Sequence, residues 1–217
     1  MHAQTQSKPP RRRDPGRRPE ASAEELAMLR LLSEQAAIPL DQLARFFGVD
    51  LAGAVRAAQR LEREGLIESR RFLIHDYPWF WPSGRGAAAA GTGFHYKVPD
   101  VAMLSHRRAV NEIRLHLAER AAQGVWICER TVLGRRDPSD HLPDAVFEIG
   151  GERHAIEAEL SCKMRDQIRR ILGQHSDRYD AVIYFCGRRT YRFMKQVQAE
   201  GRWPKLVVRR LPEGEPC

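Results

Sequence analysis

The chain has no apolar run approaching the ~18 residues of a membrane span, so no transmembrane helix is expected. Its first residues lack the apolar segment of a secretory signal, and a cytoplasmic protein is the expectation. Cysteine is scarce. Cys128, Cys162, Cys186 and Cys217 stand apart with no C-x-x-C pair, which argues against a disulfide framework or a thiolate zinc site and for reduced thiols. No heptad pattern is present, so no coiled coil sets an oligomeric state. The first twenty residues contain no aromatic side chain, and without one a segment has little to bury.

What remains is a basic chain of 217 residues, 42% hydrophobic, enough for one large domain or two small ones. The formal net charge is +8. Residues 1–20 hold Lys8, Arg11, Arg12, Arg13, Arg17 and Arg18 against Asp14 and Glu20, a surplus of +4 and half of the total. With four prolines, this segment reads as a disordered basic arm. Such an arm either adds salt-sensitive attraction to nucleic acid or only solubilises the chain.

Residues 21–98 read as one DNA-binding unit. Ser22 and Glu25 have the spacing of a capping box ahead of Leu26, Met28, Leu29, Leu31 and Leu32, giving a helix to about Gln35. A short helix over Leu40 to Phe47 stops at Gly48. A third begins after Asp50 and ends before Gly65, and Leu66-Ile67-Glu68-Ser69 starts an extended segment. Three helices and a hairpin in that order form a winged helix-turn-helix. On the third helix Leu51, Val55, Ala58 and Leu61 should face the core. Arg56, Gln59, Arg60 and Arg63 form a second stripe at i, i+3, i+4 and i+7. Planar Arg and Gln donors read base edges, and Arg also clamps phosphates; the alternative is a solvated face. Residues 69–98 form the expected wing, with strands at Arg70 to Ile74 and Phe94 to Val98 and a loose tip from Gly84 to Gly93. Tyr77, Trp79, Phe80 and Trp81 either stack on bases or, the favoured reading, pack internally.

Pro99-Asp100 opens a second unit, residues 99–217. A long helix runs from Ser105 to about Gln123, burying Val110, Ile113, Leu117 and Ala121. Strands follow at Val125 to Leu133, at Ala145-Val146-Phe147 and at Arg153 to Leu160, the last two joined by a Gly150-Gly151 turn. The loop from Asp137 to His141 precedes them. A helix over Lys163 to Gln174 presents Met164, Ile168, Ile171 and Leu172. Ala181 to Phe185 is a fully apolar strand, Tyr191 to Ala199 a helix and Leu206 to Val208 a last strand. The order implies a mixed sheet with helices on both faces, an α/β domain in a chain that is α+β overall.

The chemistry lies in Pro143-Asp144 and in Glu157-Ala158-Glu159. Strand side chains alternate, so Glu157 and Glu159 share a face, and the hairpin register brings Asp144 to the same sheet edge. Three converging carboxylates raise one another's pKa, and Mg²⁺ or Mn²⁺ bound to Asp144, Glu157 and Glu159 is the usual remedy. The alternative is three solvated acids on an ordinary hairpin. Lys163 can reach back from the start of the next helix. His154 is odd-spaced from both glutamates and should face away from them.

This second half resembles the PD-(D/E)xK nuclease-like fold, a helix, a three-strand meander, a crossover helix and a further strand. The resemblance implies Asp144 as the first acid and Glu157 as the second. The lysine expected two residues later is Glu159 here, and Lys163 is the substitute on hand. Glu112, on the long helix, is a weaker candidate for an extra acid. The whole arrangement also resembles the replication-relaxation family of plasmids and mobile elements. That resemblance rests on Leu66-Ile67, His106 and Asn111, Trp126 and Glu129, Pro143-Asp144-Ala145 and Glu157-Ala158-Glu159. It implies a role in plasmid replication, DNA relaxation or conjugative mobilisation, with replication or mobilisation proteins as partners.

Three functions follow. The first is a DNA-binding protein of a mobile element whose nuclease-like domain is degenerate, with Arg165, Arg169 and Arg170 touching the DNA backbone. The second is an active metal-dependent nickase or endonuclease, with catalytic roles for Asp144, Glu157, Glu159 and Lys163. The third is a winged-helix repressor whose second half only dimerises. All three share duplex DNA as partner, all allow a homodimer, and none involves a membrane.

Overall fold

The computed structural model describes residues 22–133, 141–161 and 163–212. The basic arm, Asp137, Cys162 and Cys217 lie outside these residues.

Helix α1 (Ala23–Gln35) starts with the expected capping box: Glu25 N–H donates to Ser22 Oγ at 3.2 Å and Ser22 N–H to Glu25 Oε2 at 2.7 Å. A short strand β1 (Ile38–Pro39) leads into α2 (Leu40–Phe47), which Gly48 ends in the left-handed conformation at φ 61°. Asp50 caps α3 (Leu51–Arg63) by accepting from Gly53 N–H at 2.7 Å. Leu29, Leu32, Ile38, Leu43, Ala58 and Leu61 form the core among these helices. Leu51 is not part of it. It opens α3 ahead of the turns that pack inward and stays 41% exposed, while Ala54 is buried instead.

The wing differs from the sequence reading. Strand β2 (Ile67–Arg70) pairs antiparallel with β3 (Trp79–Pro82), Arg70 opposite Trp79, and β1 lies on the other side of β3. The run Arg70 to Ile74 leaves the sheet at once, and Phe94 to Val98 is not a strand. Apolar area decides this: pairing residues 79–82 buries Trp79, Phe80 and Trp81 together. The aromatic cluster therefore packs internally, Trp79 and Trp81 against Ala37 and Leu104, and Phe80 and Tyr77 against the helical core. The segment read as a loose tip contains a helix, α4 (Gly84–Ala90), capped by Ser83 and packed on α1. Alanine is the best helix former, and its run here outweighs the flanking glycines. Gly86 lies so close to β2 that an added Cβ would sit 1.7 Å from the Leu66 carbonyl oxygen.

The second sheet has the order β4-β5-β6-β7-β8. After α5 (Leu104–Arg120), β4 (Val125–Cys128), β5 (Ala145–Ile149) and β6 (Glu152–Glu159) form an antiparallel meander. Gly150 and Gly151, at φ 60° and 85°, make the tight turn between β5 and β6. The expected strand over Val125 to Leu133 stops at Cys128. A short helix α6 (Glu129–Leu133) follows, so Glu129 stands on a helix and not on the first strand. Helix α7 (Arg165–Ser176) crosses to β7 (Ala181–Cys186), parallel to β6, and α8 (Arg188–Ala199) to β8 (Leu206–Arg210), parallel to β7. Ile113 of α5 packs on Phe147, Ile156 and Phe185 from one face. Ile168, Leu172 and Met194 of α7 and α8 pack on Val146, Ala155 and Tyr184 from the other. Met164 precedes α7 and is 78% exposed, so it is not a core residue.

Polar contacts lock α5 to the winged helix. Asn111 donates to Ala37 O and to Gln42 Oε1, and Gln42 donates to Glu112 Oε2. Arg45 bonds both Glu112 oxygens at 2.8 Å, and Arg114 pairs with Glu34 at 2.8 Å. Glu112 and Asn111 are therefore buried joint residues, and neither belongs to the acidic site.

Candidate functional site

On α3, Arg56, Gln59, Arg60 and Arg63 are all exposed on one face. The chain itself engages part of that stripe. Arg60 Nε lies 2.8 Å from Glu25 Oε1, and Arg63 Nε donates to the Gln59 carbonyl at 3.3 Å. Arg56 has no hydrogen bond or ion pair among the described residues, so its donors are free. Arg70 and Arg71 extend the basic surface at the start of the wing, both exposed.

The acids meet at one end of the second sheet. Asp144 stands just ahead of β5 and its Oδ2 accepts from Ala158 N–H at 2.7 Å, which ties the first acid to the strand of the other two. Its Oδ1 accepts from His106 Nε2 of α5 at 2.8 Å. Glu157 and Glu159, 3% and 2% exposed, share the face covered by α7. Lys163 reaches back to Glu159, with Nζ 2.6 Å from Oε2, and its ammonium feels the charges of Glu157 and Asp144 as well. His154 bonds Glu152 and takes no part.

Two histidines that the sequence reading left unassigned complete the cluster. His175, buried at the end of α7, contacts Glu157 Oε1 through Nε2 at 2.8 Å. His141 Nε2 lies 3.3 Å from the same oxygen. The signal for His175 was in the chain: it continues the apolar face of Ile168, Ile171 and Leu172 at helical spacing, where a histidine needs a buried partner. His141, in a loop three residues before Asp144, carried no such signal.

These partners split the carboxylates. Burial raises the Glu159 pKa and outweighs Lys163. Burial pushes Glu157 up too, but the hydrogen bond with His175 and the proximity of both His141 and His175 prevail and hold it low, at about 2. Mutual elevation of all three acids, the sequence expectation, is thus wrong for Glu157, because imidazoles supply the compensating charge. His106 is raised, its bond to Asp144 outweighing burial. Glu129 is raised by burial and by Asp144, which it approaches from α6.

Two of the three acids of the expected Mg²⁺ site already have protein partners besides the histidines on Glu157. Both Asp144 oxygens accept hydrogen bonds, and the lysine ammonium is paired with Glu159. An octahedral all-oxygen ion would have to displace Lys163. Of the three basic residues proposed for backbone contact, Arg165 pairs with Glu200 at 2.5 Å and Arg169 with Glu200 and Asp166 at 3.4 Å, whereas Arg170 is exposed.

Comparison with known proteins places the first unit. The MarR family model matches residues 22–71, and this segment is a MarR-type winged-helix DNA-binding domain. Among solved structures the chain is similar to ZitR of Lactococcus lactis, at 21% identity over 33% of this chain and 49% of that one, TM-score 0.30. It is also similar to the adhesin competence repressor AdcR of Streptococcus pyogenes, at 16% identity over 47% and 69%, TM-score 0.30. The PcaV transcriptional regulator of Streptomyces coelicolor, solved with its natural ligand, matches at 19% over 54% and 71%, TM-score 0.30. The chain spans about half the length of ZitR, and superposition this loose carries no argument. No curated protein matches the chain. These matches lend no support to the replication-relaxation resemblance or to a nuclease domain. Among the described residues, no helix is long and apolar enough to cross a membrane.

Proposed function

We propose that the protein is a transcriptional regulator, a repressor that holds duplex DNA through its winged helix. The observation that carries this reading is the MarR-type module at residues 22–71 with Arg56, Gln59, Arg60 and Arg63 exposed on α3. In a helix-turn-helix, the last helix of the motif enters the major groove, and two copies related by a two-fold axis read half-sites about one helical turn apart. A homodimer is therefore part of the proposal. The polar contacts of α5 with the winged helix join the second domain to the reading head. A nuclease-protection footprint over the DNA upstream of its own gene tests the reading. A protected, salt-sensitive site there is expected, and uniform protection without a site would count against it.

A second reading rests on a different observation, the convergence of Asp144, Glu157, Glu159 and Lys163 at the end of an α-β-β-β-α-β unit. Under it, the domain is of PD-(D/E)xK type and acts on the phosphodiester backbone in plasmid replication, relaxation or mobilisation. Lys163 would then supply, from four residues on, the charge that position 159 lacks, and stabilise negative charge at a phosphate. Nicking of supercoiled plasmid in Mn²⁺ or Mg²⁺, abolished by Asp144→Asn, would support it; intact plasmid under all conditions would eliminate it.

A further inference from the structure

Beside the acid cluster, and sharing Glu157 with it, two histidines form a donor set of a different kind. We infer that His141, Glu157 and His175 bind one divalent metal ion of the Zn²⁺ or Co²⁺ class. The inference depends on neither functional reading.

The geometry is that of a site with three protein ligands. The three donor atoms lie within 4.8 Å of one another. Both imidazole Nε2 atoms face the same Glu157 oxygen, at 2.8 and 3.3 Å. Three donors about 2.0–2.1 Å from a tetrahedral ion are separated by roughly 3.3 Å, and the two histidine–Glu157 pairs already stand at 3.3 and 2.8 Å. Two imidazoles and a carboxylate suit borderline ions and not Mg²⁺. A fourth position stays open to a water or an oxyanion, as in sites of two histidines and a glutamate.

The supporting residues hold this arrangement before any metal arrives. His141 N–H donates to Gln174 Oε1 at 3.1 Å, which pins the loop to α7 beside His175. His175 packs edge-on against Tyr179 and next to the His141 ring, with centroids 5.7 and 5.6 Å away. His141 Nε2 is buried but lacks an aligned hydrogen bond. An independent sign comes from the neighbouring strand. Tyr184, opposite Glu157 in the parallel register, is 0% exposed, and its hydroxyl has no hydrogen-bond partner among the described residues. Burial, then the charges of Glu157, Glu159 and Asp144, raise its pKa, so it stays a neutral donor. A buried hydroxyl without a partner is costly. A water or oxyanion on the ion would satisfy it. Binding uses the Nε2 lone pairs, so any proton held at Nε2 moves to Nδ1 or is released to solvent.

The test is calorimetric titration of the chelator-stripped full chain with Zn²⁺ and with Co²⁺, and the visible spectrum of the Co²⁺ form. One ion per chain is expected, with the absorption of a tetrahedral nitrogen–oxygen site. His141→Gln and His175→Gln should each weaken it ~10-fold or more, and His154→Gln should leave it unchanged. His141 is half-exposed on a loop, so its variant keeps the test valid if the His175 variant fails to fold. Absence of binding to the parent protein, or binding unchanged by His141→Gln, overturns the inference. DNA binding is read separately, so loss of the metal site leaves the regulator reading standing.

Discussion

The α3 face and the acidic end of the second sheet are both clusters of charge, but they are built in opposite ways. On α3 the side chains are exposed and Arg56 is free, so the surface is complete only with a partner. At the sheet end the charges are buried and almost every one already has its counter-group: Asp144 with His106, Glu157 with His175, Glu159 with Lys163. Exposed cations are inexpensive to hold and suit a large polyanion, whereas buried charges persist only when paired. The first cluster therefore suits an outside polyanion, the duplex DNA of the proposed reading. The second is a preorganised pocket, or a strongly held structural node.

The comparison can be broken hardest at Glu157. Glu157→Ala leaves His175 without its buried partner and should cost about 3–5 kcal/mol in urea unfolding, the range for removing one member of a buried pair. A loss near zero would mean that the cluster is not a node. Next comes the joint. Asn111→Ala strands the Gln42 amide and the Ala37 carbonyl and should cost about 1–3 kcal/mol by the same measurement. On the exposed face the effect should move from stability to binding. Arg56→Ala should change unfolding by less than ~0.5 kcal/mol but weaken site-specific DNA binding by about 1–3 kcal/mol.

The smallest effect sharpens the contrast within one strand, in chelator-treated protein. Glu157 is depressed when folded, so its ionised form stabilises above the ordinary glutamate pKa of roughly 4.3. That contribution fades as pH falls toward about 2. Glu159 is raised, so its contribution is present below the ordinary value and is lost as pH climbs through the folded one. Glu159→Gln should therefore gain on the parent protein as pH rises from the acid side, while the deficit of Glu157→Gln should shrink as pH falls. Parallel pH–stability curves for the two variants would contradict this assignment of partners.

Local rules were legible in the chain where local physics governs. The Ser22–Glu25 box, the Gly48 stop, the Gly150-Gly151 turn and the shared face of Glu157 and Glu159 all follow from short-range geometry. The wing was not legible. Its return strand is chosen by the burial of Trp79 and Trp81 against Ala37 and Leu104 and of Phe80 in the helical core, contacts that span the chain. The roles of Glu112 and Asn111 depend on the docking of α5 against α2, which no spacing reveals. At the acid site, the reach of Lys163 to Glu159 is an i, i+4 relation and was foreseeable. His141 meets Glu157 only because the sheet brings them together.

The most direct test of the regulator reading is a fluorescence-anisotropy titration of the intact protein on duplex DNA from upstream of its own gene, set against Arg56→Ala and an unrelated duplex. The account predicts tight, salt-sensitive binding to the cognate duplex, weakened by roughly tenfold or more in the variant, with both proteins alike on the unrelated DNA. Equal affinity of parent and variant on the cognate duplex, or no preference for it, would contradict recognition through α3.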